Sequence, residues 1–189
     1  MRPTRGSKLM AAFVLWFTGL PGAGKTTIAS AVATELESRG ERVERLDGDV
    51  IRTLFSDDLG FDKESRDTNV ARIASAAARI ARAGAVVIVS AIAPYEDARR
   101  RAREVISEQT AFVEVHVATP LEECIRRDPK GHYAKALDGR LENFTGVSDP
   151  YEIPSAPELR LQTTGATPAE SAAVVITRIE ELGLIGATA

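Results

Sequence analysis

Phe13-Val14-Leu15-Trp16-Phe17-Thr18-Gly19-Leu20-Pro21-Gly22-Ala23-Gly24-Lys25-Thr26-Thr27 is the stretch that decides the fold. Its first six residues read as a buried strand, and Gly19 to Thr26 follow the G-x-x-x-x-G-K-[ST] pattern of a phosphate-binding P-loop. A helix-like run from Lys25 to Arg39 comes directly after. Strand, glycine-rich turn and helix are the context that gives the pattern its meaning. The glycines let backbone N–H groups turn inward around phosphate oxygens. The helix start adds a partial positive charge. On this reading Gly19, Leu20, Pro21, Gly22, Ala23, Gly24, Lys25, Thr26 and Thr27 cradle a nucleoside triphosphate. Lys25 reaches the β- and γ-phosphates, and Thr26 holds Mg²⁺ through its hydroxyl. A dinucleotide-binding turn fits less well, because the third glycine of G-x-G-x-x-G falls on Thr27.

Upstream, Arg2, Arg5 and Lys8 precede an apolar run from Leu9 to Leu20. A secretory signal has that layout. Cleavage after the run would cut through the phosphate loop, and the run is shorter than the about 20 residues that span a bilayer. The strand reading is therefore preferred, with a cytoplasmic location and no membrane contact expected.

Downstream, strand-like runs alternate with helix-like ones. Strands are expected at Phe13–Thr18, Val43–Asp47, Val86–Ser90, Phe112–Val117 and Leu159–Gln162. Helices are expected at Lys25–Arg39, Ser65–Ala83, Tyr95–Glu108, Leu121–Arg127 and Pro168–Leu182. Gly40 and Gly84 stand where helices end, and Thr167-Pro168 where one begins. The run Ala85-Val86-Val87-Ile88-Val89 is apolar on both faces, as a strand covered on both sides must be. The expected fold class is α/β: a three-layer sandwich of the P-loop NTPase type, a parallel sheet with helices on both faces. Residues 1–189 read as one domain. The segment Asp128–Pro157, rich in Gly, Pro, Asp and Lys with weak periodicity, reads as a lid.

Composition agrees. Hydrophobic residues make up 44% and charged ones 27%, which excludes a disordered tail or a collagen-like chain. Aromatics are 5%, so Val, Ile, Leu and Ala must build the core. A net charge of -3 carries no basic footprint for nucleic acid. Cys124 is the lone cysteine and cannot form an internal disulfide, which suits a reducing compartment. Two histidines and one cysteine, so placed, do not suggest a zinc site.

A P-loop establishes nucleotide binding, not a reaction. Asp57-Asp58-Leu59-Gly60 formally fits the D-x-x-G of GTPase switches, but it follows the helix-like Ile51–Phe55, and there is no Asn-Lys-x-Asp for guanine. A small-molecule kinase fits better. Phosphoryl transfer to a hydroxyl needs a carboxylate nearby to orient it or take its proton. Leu46-Asp47-Gly48-Asp49 ends the second expected strand, beside the ligand crevice of an open α/β sheet. Asp49 is the candidate, with Arg52 one turn on to clamp an anionic acceptor; Asp47 and Asp49 as mere turn and cap residues is the competing reading.

From about Phe13 to Thr164 the chain resembles the adenylyl-sulfate kinases, which phosphorylate the 3′-hydroxyl of adenosine 5′-phosphosulfate with MgATP. The resemblance rests on Gly19–Thr27, Asp47–Arg52, Leu59-Gly60-Phe61, Arg66-Asp67-Thr68-Asn69, Ser90–Tyr95, Asp128–Tyr133, Phe144-Thr145-Gly146 and Asp149–Glu152. It implies that Phe61 and Phe144 sandwich the acceptor's adenine, and that Arg52 and Arg66 hold its phosphosulfate. Asn69, three residues after Arg66 on one helix face, would bond the same ligand. Ile92, Ala93 and Pro94 would form a backbone wall beside the ribose, Lys130 would reach in from the lid, and Thr145 would join Phe144. Arg127 would neutralise charge on the transferring phosphoryl group, and the loop Thr163–Thr167 would pack against the adenine of ATP. The resemblance implies ATP and Mg²⁺, allows a homodimer, and allows a separate sulfurylase partner. Many members of the family have a serine, described as a phosphoserine intermediate, where this chain has Ala93, and an asparagine where it has Val50. Alanine cannot carry phosphate, so direct in-line transfer is expected. A related small-molecule acceptor stays open as the alternative, with a nucleotide switch behind it.

Overall fold

Period-two alternation along one strand sets the layers. The computed structural model describes residues 12–55 and 58–187. Arg2, Arg5, Lys8 and Leu9 of the leader-like stretch, and Asp57 of the switch-like motif, lie outside the described residues. The first strand, β1 (Phe13–Thr18), is buried along its whole length. It is followed by α1 (Lys25–Ser38), β2 (Val43–Asp47), α2 (Gly48–Phe55), α3 (Lys63–Arg82), β3 (Val86–Ser90) and α4 (Glu96–Ser107). Then come β4 (Ala111–Val117), α5 (Leu121–Arg127), α6 (His132–Leu137), β5 (Leu159–Leu161) and α7 (Pro168–Glu181). Phe13, Leu15 and Phe17 join one apolar cluster with Ile28, Val32 and Leu36 of α1 and Val175 and Ile179 of α7. Val14 and Trp16 join the other, with Val70, Ile73 and Ala77 of α3 and Ala98, Ala102 and Ile106 of α4. Side chains two apart share a face of a strand, so β1 supplies both cores at once. The second core is built largely from alanines, which is how a chain with few aromatics closes two helices onto a sheet.

The five strands run in the order β2-β3-β1-β4-β5, and every pairing is parallel. Phe17 and Asp47 both register with Ser90, and Thr18 registers with His116. The C-terminal ends of these strands therefore form one edge, where a doubly wound sheet binds its ligands. Caps explain the helix limits. Gly40 and Gly84 carry φ of 88° just past α1 and α3. Thr167 and Glu170 form a reciprocal capping box with Pro168 in the first turn of α7. α3 begins two residues before the expected Ser65, because the Asp62 side chain accepts from Ser65 N and sets the start.

Two elements depart from the sequence expectation. α2 contains the helix-like Ile51–Phe55 but opens earlier, at Gly48 directly from β2, since Asp47 Oδ1 accepts from Asp49 N at 2.9 Å and caps it. Within Asp128–Pro157, expected as irregular, α6 forms: the Asp128 carboxylate accepts from Tyr133 N and Ala134 N, both at 3.0 Å. A six-residue helix is too short to show periodicity. The end of that segment is tied down: Glu152 N donates to Pro94 O at 2.8 Å, and Ser155 Oγ donates to Glu96 Oε1 at 2.7 Å. Among the described residues no helix is long and apolar enough to cross a membrane.

Gly19 shows how tightly the edge is packed. Its φ is 152°, and a Cβ there would lie 2.6 Å from the Val117 carbonyl oxygen of the neighbouring strand. Both obstacles are backbone, so neither yields by a rotamer change. Gly19→Ala is expected to lower unfolding stability by about 2 kcal/mol and to lose nucleotide binding, read from urea unfolding and from nucleotide titration. Unchanged values for both would mean that the loop does not need this approach.

Candidate active site

The loop after β1 closes around a lysine. Lys25 Nζ donates to Gly19 O at 2.9 Å and to Leu20 O at 2.8 Å. Burial pushes its pKa from 10.5 down to about 8, against the pull of the Asp49 and Asp47 carboxylates. Gly22 and Gly24 take φ of 72° and 101°, conformations that side-chain-bearing residues rarely adopt. Three side chains brace the loop from outside. Thr119 Oγ1 donates to Ala23 O at 2.7 Å, Tyr133 Oη donates to Pro21 O at 2.9 Å, and Arg127 donates to Ala23 O at 3.3 Å. Arg127 also bonds Glu123, whose carboxyl is held down to about 2 by hydrogen bonds from Arg126 and Arg127.

The two aspartates at the end of β2 divide their work. Thr26 Oγ1 donates to Asp47 Oδ2 at 2.8 Å, while Asp47 Oδ1 caps α2. A hydroxyl and a carboxylate converging at the phosphate loop are hard oxygen donors, the ligand type Mg²⁺ takes. Among the described residues no group of three or more His, Cys, Asp and Glu could hold a metal by itself. Asp49 faces outward and pairs with Lys130 at 2.6 Å across the gap to the segment after α5. The contact between Asp47 and Thr26 is the feature the sequence reading missed. Its signal was present, two carboxylates at a strand end, but only distance says which one meets the loop hydroxyl.

The acceptor side gathers the remaining residues. The Arg52 guanidinium lies 4.2 Å from the centroid of the Phe61 ring and donates to Leu59 O at 2.9 Å and to Gly60 O. Phe61 is 56% exposed, so it does not serve as a core anchor. Arg66 Nε donates to Phe61 O at 2.8 Å, and its other end donates to Asn143 O, next to Phe144. One arginine of α3 thus joins the two loops that carry the aromatic rings. Burial lowers its pKa, opposed by Asp149, whose carboxylate lies 3.8 Å away. Phe144 is half-buried and meets Tyr133 edge-on, with centroids 4.9 Å apart. It packs against the core with Leu20 and Leu121, so it serves as a core residue as well. Asn69 Oδ1 is buried with no hydrogen-bond partner, an acceptor whose desolvation is otherwise uncompensated. Thr145 is 1% exposed, and its hydroxyl too is without a partner. Ile92 O accepts from Thr18 Oγ1 at 2.6 Å, which pins the loop after β3 to the end of β1. Ala93 holds φ of 43° and is buried, and Pro94 follows it. In the loop after β5, Thr163 exchanges a hydrogen bond with Thr119 and so touches the braces of the phosphate loop.

A phosphate loop, a hydroxyl–carboxylate pair and an arginine that joins two aromatic-bearing loops, all on one edge of a parallel sheet, define a P-loop kinase. The family model for adenylylsulphate kinase matches residues 11–162, and the chain belongs to that family. An adenylyl-sulfate kinase of Halothermothrix orenii is 50% identical over 171 residues, covering 90% of this chain and 91% of its own. A probable bifunctional SAT/APS kinase 2 of Sorangium cellulosum is 47% identical over 93% of this chain, which corresponds to 30% of that longer protein. Among solved structures, the Mycobacterium tuberculosis APS kinase CysC in complex with AMPPNP and APS superposes with a TM-score of 0.87 at 40% identity, covering 90% of this chain and 98% of that one.

The displaced pKa of Lys25 gives a pH signature. The charged ammonium is the form that meets phosphate, and in the free protein it is lost as pH rises through about 8. The kcat/KM for the triphosphate reports the free enzyme and should fall about tenfold per pH unit above that point. The kcat should hold to higher pH, because phosphate charge beside the ammonium favours its protonated form. A pH–rate profile checks both limbs; a kcat/KM level to pH 9.5 would remove Lys25 as its source.

Proposed function

We propose that this chain transfers the γ-phosphoryl group of MgATP to the 3′-hydroxyl of adenosine 5′-phosphosulfate. The carrying observation is Arg66, which ties the Phe61 loop to the Phe144 loop; on this reading the two loops bound the acceptor slot. In this slot the acceptor's adenine stacks against Phe61 and Phe144. Arg52 and Arg66 meet the phosphosulfate, and the orphaned Asn69 oxygen accepts from the same ligand. Thr145 and the wall Ile92-Ala93-Pro94 flank the ribose. The loop Gly19–Thr27 binds the triphosphate, with Arg127 reaching its transferring end. Thr26 and Asp47 hold Mg²⁺, which supplies charge neutralisation at the phosphates.

The reaction then needs little covalent chemistry from the protein. Asp49 orients the acceptor hydroxyl and accepts its proton as the new O–P bond forms and the bond to the β-phosphate oxygen breaks. Lys25 releases the carbonyls of Gly19 and Leu20 and turns its charge to the phosphoryl oxygens. Lys130, paired with Asp49 in this structure, shifts to the acceptor when the lid expected within Asp128–Pro157 closes and water is excluded. A sulfurylase activity is the reaction that would supply the acceptor. Cytoplasmic work and a homodimeric state belong to the same reading.

The assay offers MgATP with adenosine 5′-phosphosulfate, AMP, adenosine, shikimate and gluconate. Turnover of the first alone is expected; turnover of another in its place would reject the substrate and keep the kinase. Lys25→Ala should cut kcat by at least about 10²-fold. Asp49→Asn should bind ATP and lose most transfer, and normal transfer would make Asp49 a turn residue.

The covalent route is tested separately. Ala93 offers no hydroxyl, and its backbone is already committed to a left-handed turn. Ser90, three residues earlier, closes β3 and is 8% exposed, with no histidine close in sequence to activate it. Protein incubated with γ-labelled ATP and then denatured should retain no label. Stoichiometric, acid-stable phosphoserine that chases into product would establish a phosphoenzyme instead.

A further inference from the structure

Arg99 has 2% of its side chain exposed, and none of the roles above uses it. It sits in the first turn of α4, and its guanidinium reaches three separate segments. One end donates to Ala93 O at 2.6 Å. The other donates to Glu152 O at 2.6 Å and to the Glu96 carboxylate. Nε lies 3.1 Å from Glu114 Oε1 on β4, in an ion pair shared with Arg103. Ala93 belongs to the wall after β3, and Glu152 to the stretch that returns from the closing segment. A second set of bonds joins the same two stretches. Glu152 N donates to Pro94 O at 2.8 Å, and Glu152 Oε2 accepts from Glu96 N at 2.6 Å at the start of α4.

Ala93 makes this clamp consequential. A non-glycine residue at φ of 43° persists only where its surroundings hold it. The carbonyl that Arg99 holds is that of Ala93 itself. Were φ of Ala93 to relax out of the left-handed region, the chain beyond its Cα would swing, breaking that bond and drawing Pro94 O away from Glu152 N. The geometry points to Arg99 as a positioning residue for the acceptor: it touches no substrate, but it sets the Ile92–Pro94 wall and the anchor of the closing segment in one arrangement. This rests on the reading of Ile92–Pro94 as the acceptor wall. A planar guanidinium with five donors can serve a carbonyl on each side and a carboxylate at once. A lysine ammonium on a flexible stem cannot hold the same set.

The test compares Arg99→Lys with Phe144→Ala, which alters a direct acceptor contact. KM for each substrate and kcat are measured at least 15 °C below each variant's own Tm, so that lost stability does not enter. Arg99→Lys is expected to raise the KM for adenosine 5′-phosphosulfate about tenfold, leaving the KM for ATP within about twofold of the parent. Phe144→Ala should also raise the acceptor KM. If Phe144→Ala does so while Arg99→Lys moves both KM values equally or neither, the positioning role is overturned and the acceptor site stands. If Phe144→Ala leaves the acceptor KM unchanged, the acceptor site itself is wrong and the wall with it. Should Arg99→Lys not fold, Arg99→Gln keeps an amide donor for the Ala93 carbonyl and carries the same comparison.

Discussion

Parallel pairing of β1 with strands on both its sides is the constraint on which the rest depends. Because β3 and β4 flank β1 in parallel, the loops leaving β1, β2, β3 and β4 emerge at one edge. Those loops carry the phosphate-binding turn, the two aspartates, the Ile92–Pro94 wall and Thr119. Gly19 approaches the Val117 carbonyl so closely that any side chain would collide, and this fixes where the turn leaves the sheet. Burial on both faces holds β1 there. Phe13, Leu15 and Phe17 fill one core and Val14 and Trp16 the other, so a slip by one residue would exchange side chains of different volume between two close-packed cores.

On that frame the site is assembled mainly by arginines that grip backbone carbonyls. Arg52 holds the Leu59–Gly60 turn, Arg66 joins Phe61 to Asn143, Arg99 joins Ala93 to Glu152, and Arg127 braces Ala23. Arg52 fixes a nearby turn, while Arg66, Arg99 and Arg127 reach segments distant in sequence, and all four satisfy loop carbonyls. Two of them, Arg52 and Arg66, lie in the slot read as the anion site, so their backbone bonds also pre-orient the charge.

The charges near the phosphate loop are balanced rather than abundant. Lys25 is buried with its pKa depressed, Asp47 is shared between Thr26 and the start of α2, and Asp49 is paired with Lys130. A buried ammonium held by carbonyls alone is costly, and anionic phosphate oxygens relieve it. On the proposed mechanism this pair would part when a hydroxyl and an anionic acceptor arrive between them.

The strand–turn–helix at Phe13–Ser38, the parallel α/β class and the family were legible in the sequence, because they are local patterns. Backbone conformation at glycines, period-two burial and capping residues act over a few residues and leave their mark in residue type. Asp49, Arg52, Phe61, Arg66 and Asn69 could be singled out because their motifs survive in the sequence, with Val50 as the one departure among them. The tertiary structure alone decided which of two neighbouring aspartates meets Thr26 and that Phe144 doubles as a core residue. It also decided that Asp128 starts a helix inside the expected lid and that one buried arginine ties the wall at Ala93 to Glu152. The Asp128 cap is local but opens a helix too short to show a period, whereas a contact such as that of Thr26 with Asp47 or of Arg99 with Glu152 joins segments far apart in the chain. Its energy depends on distance and desolvation in the folded molecule, quantities that no local run of residues encodes.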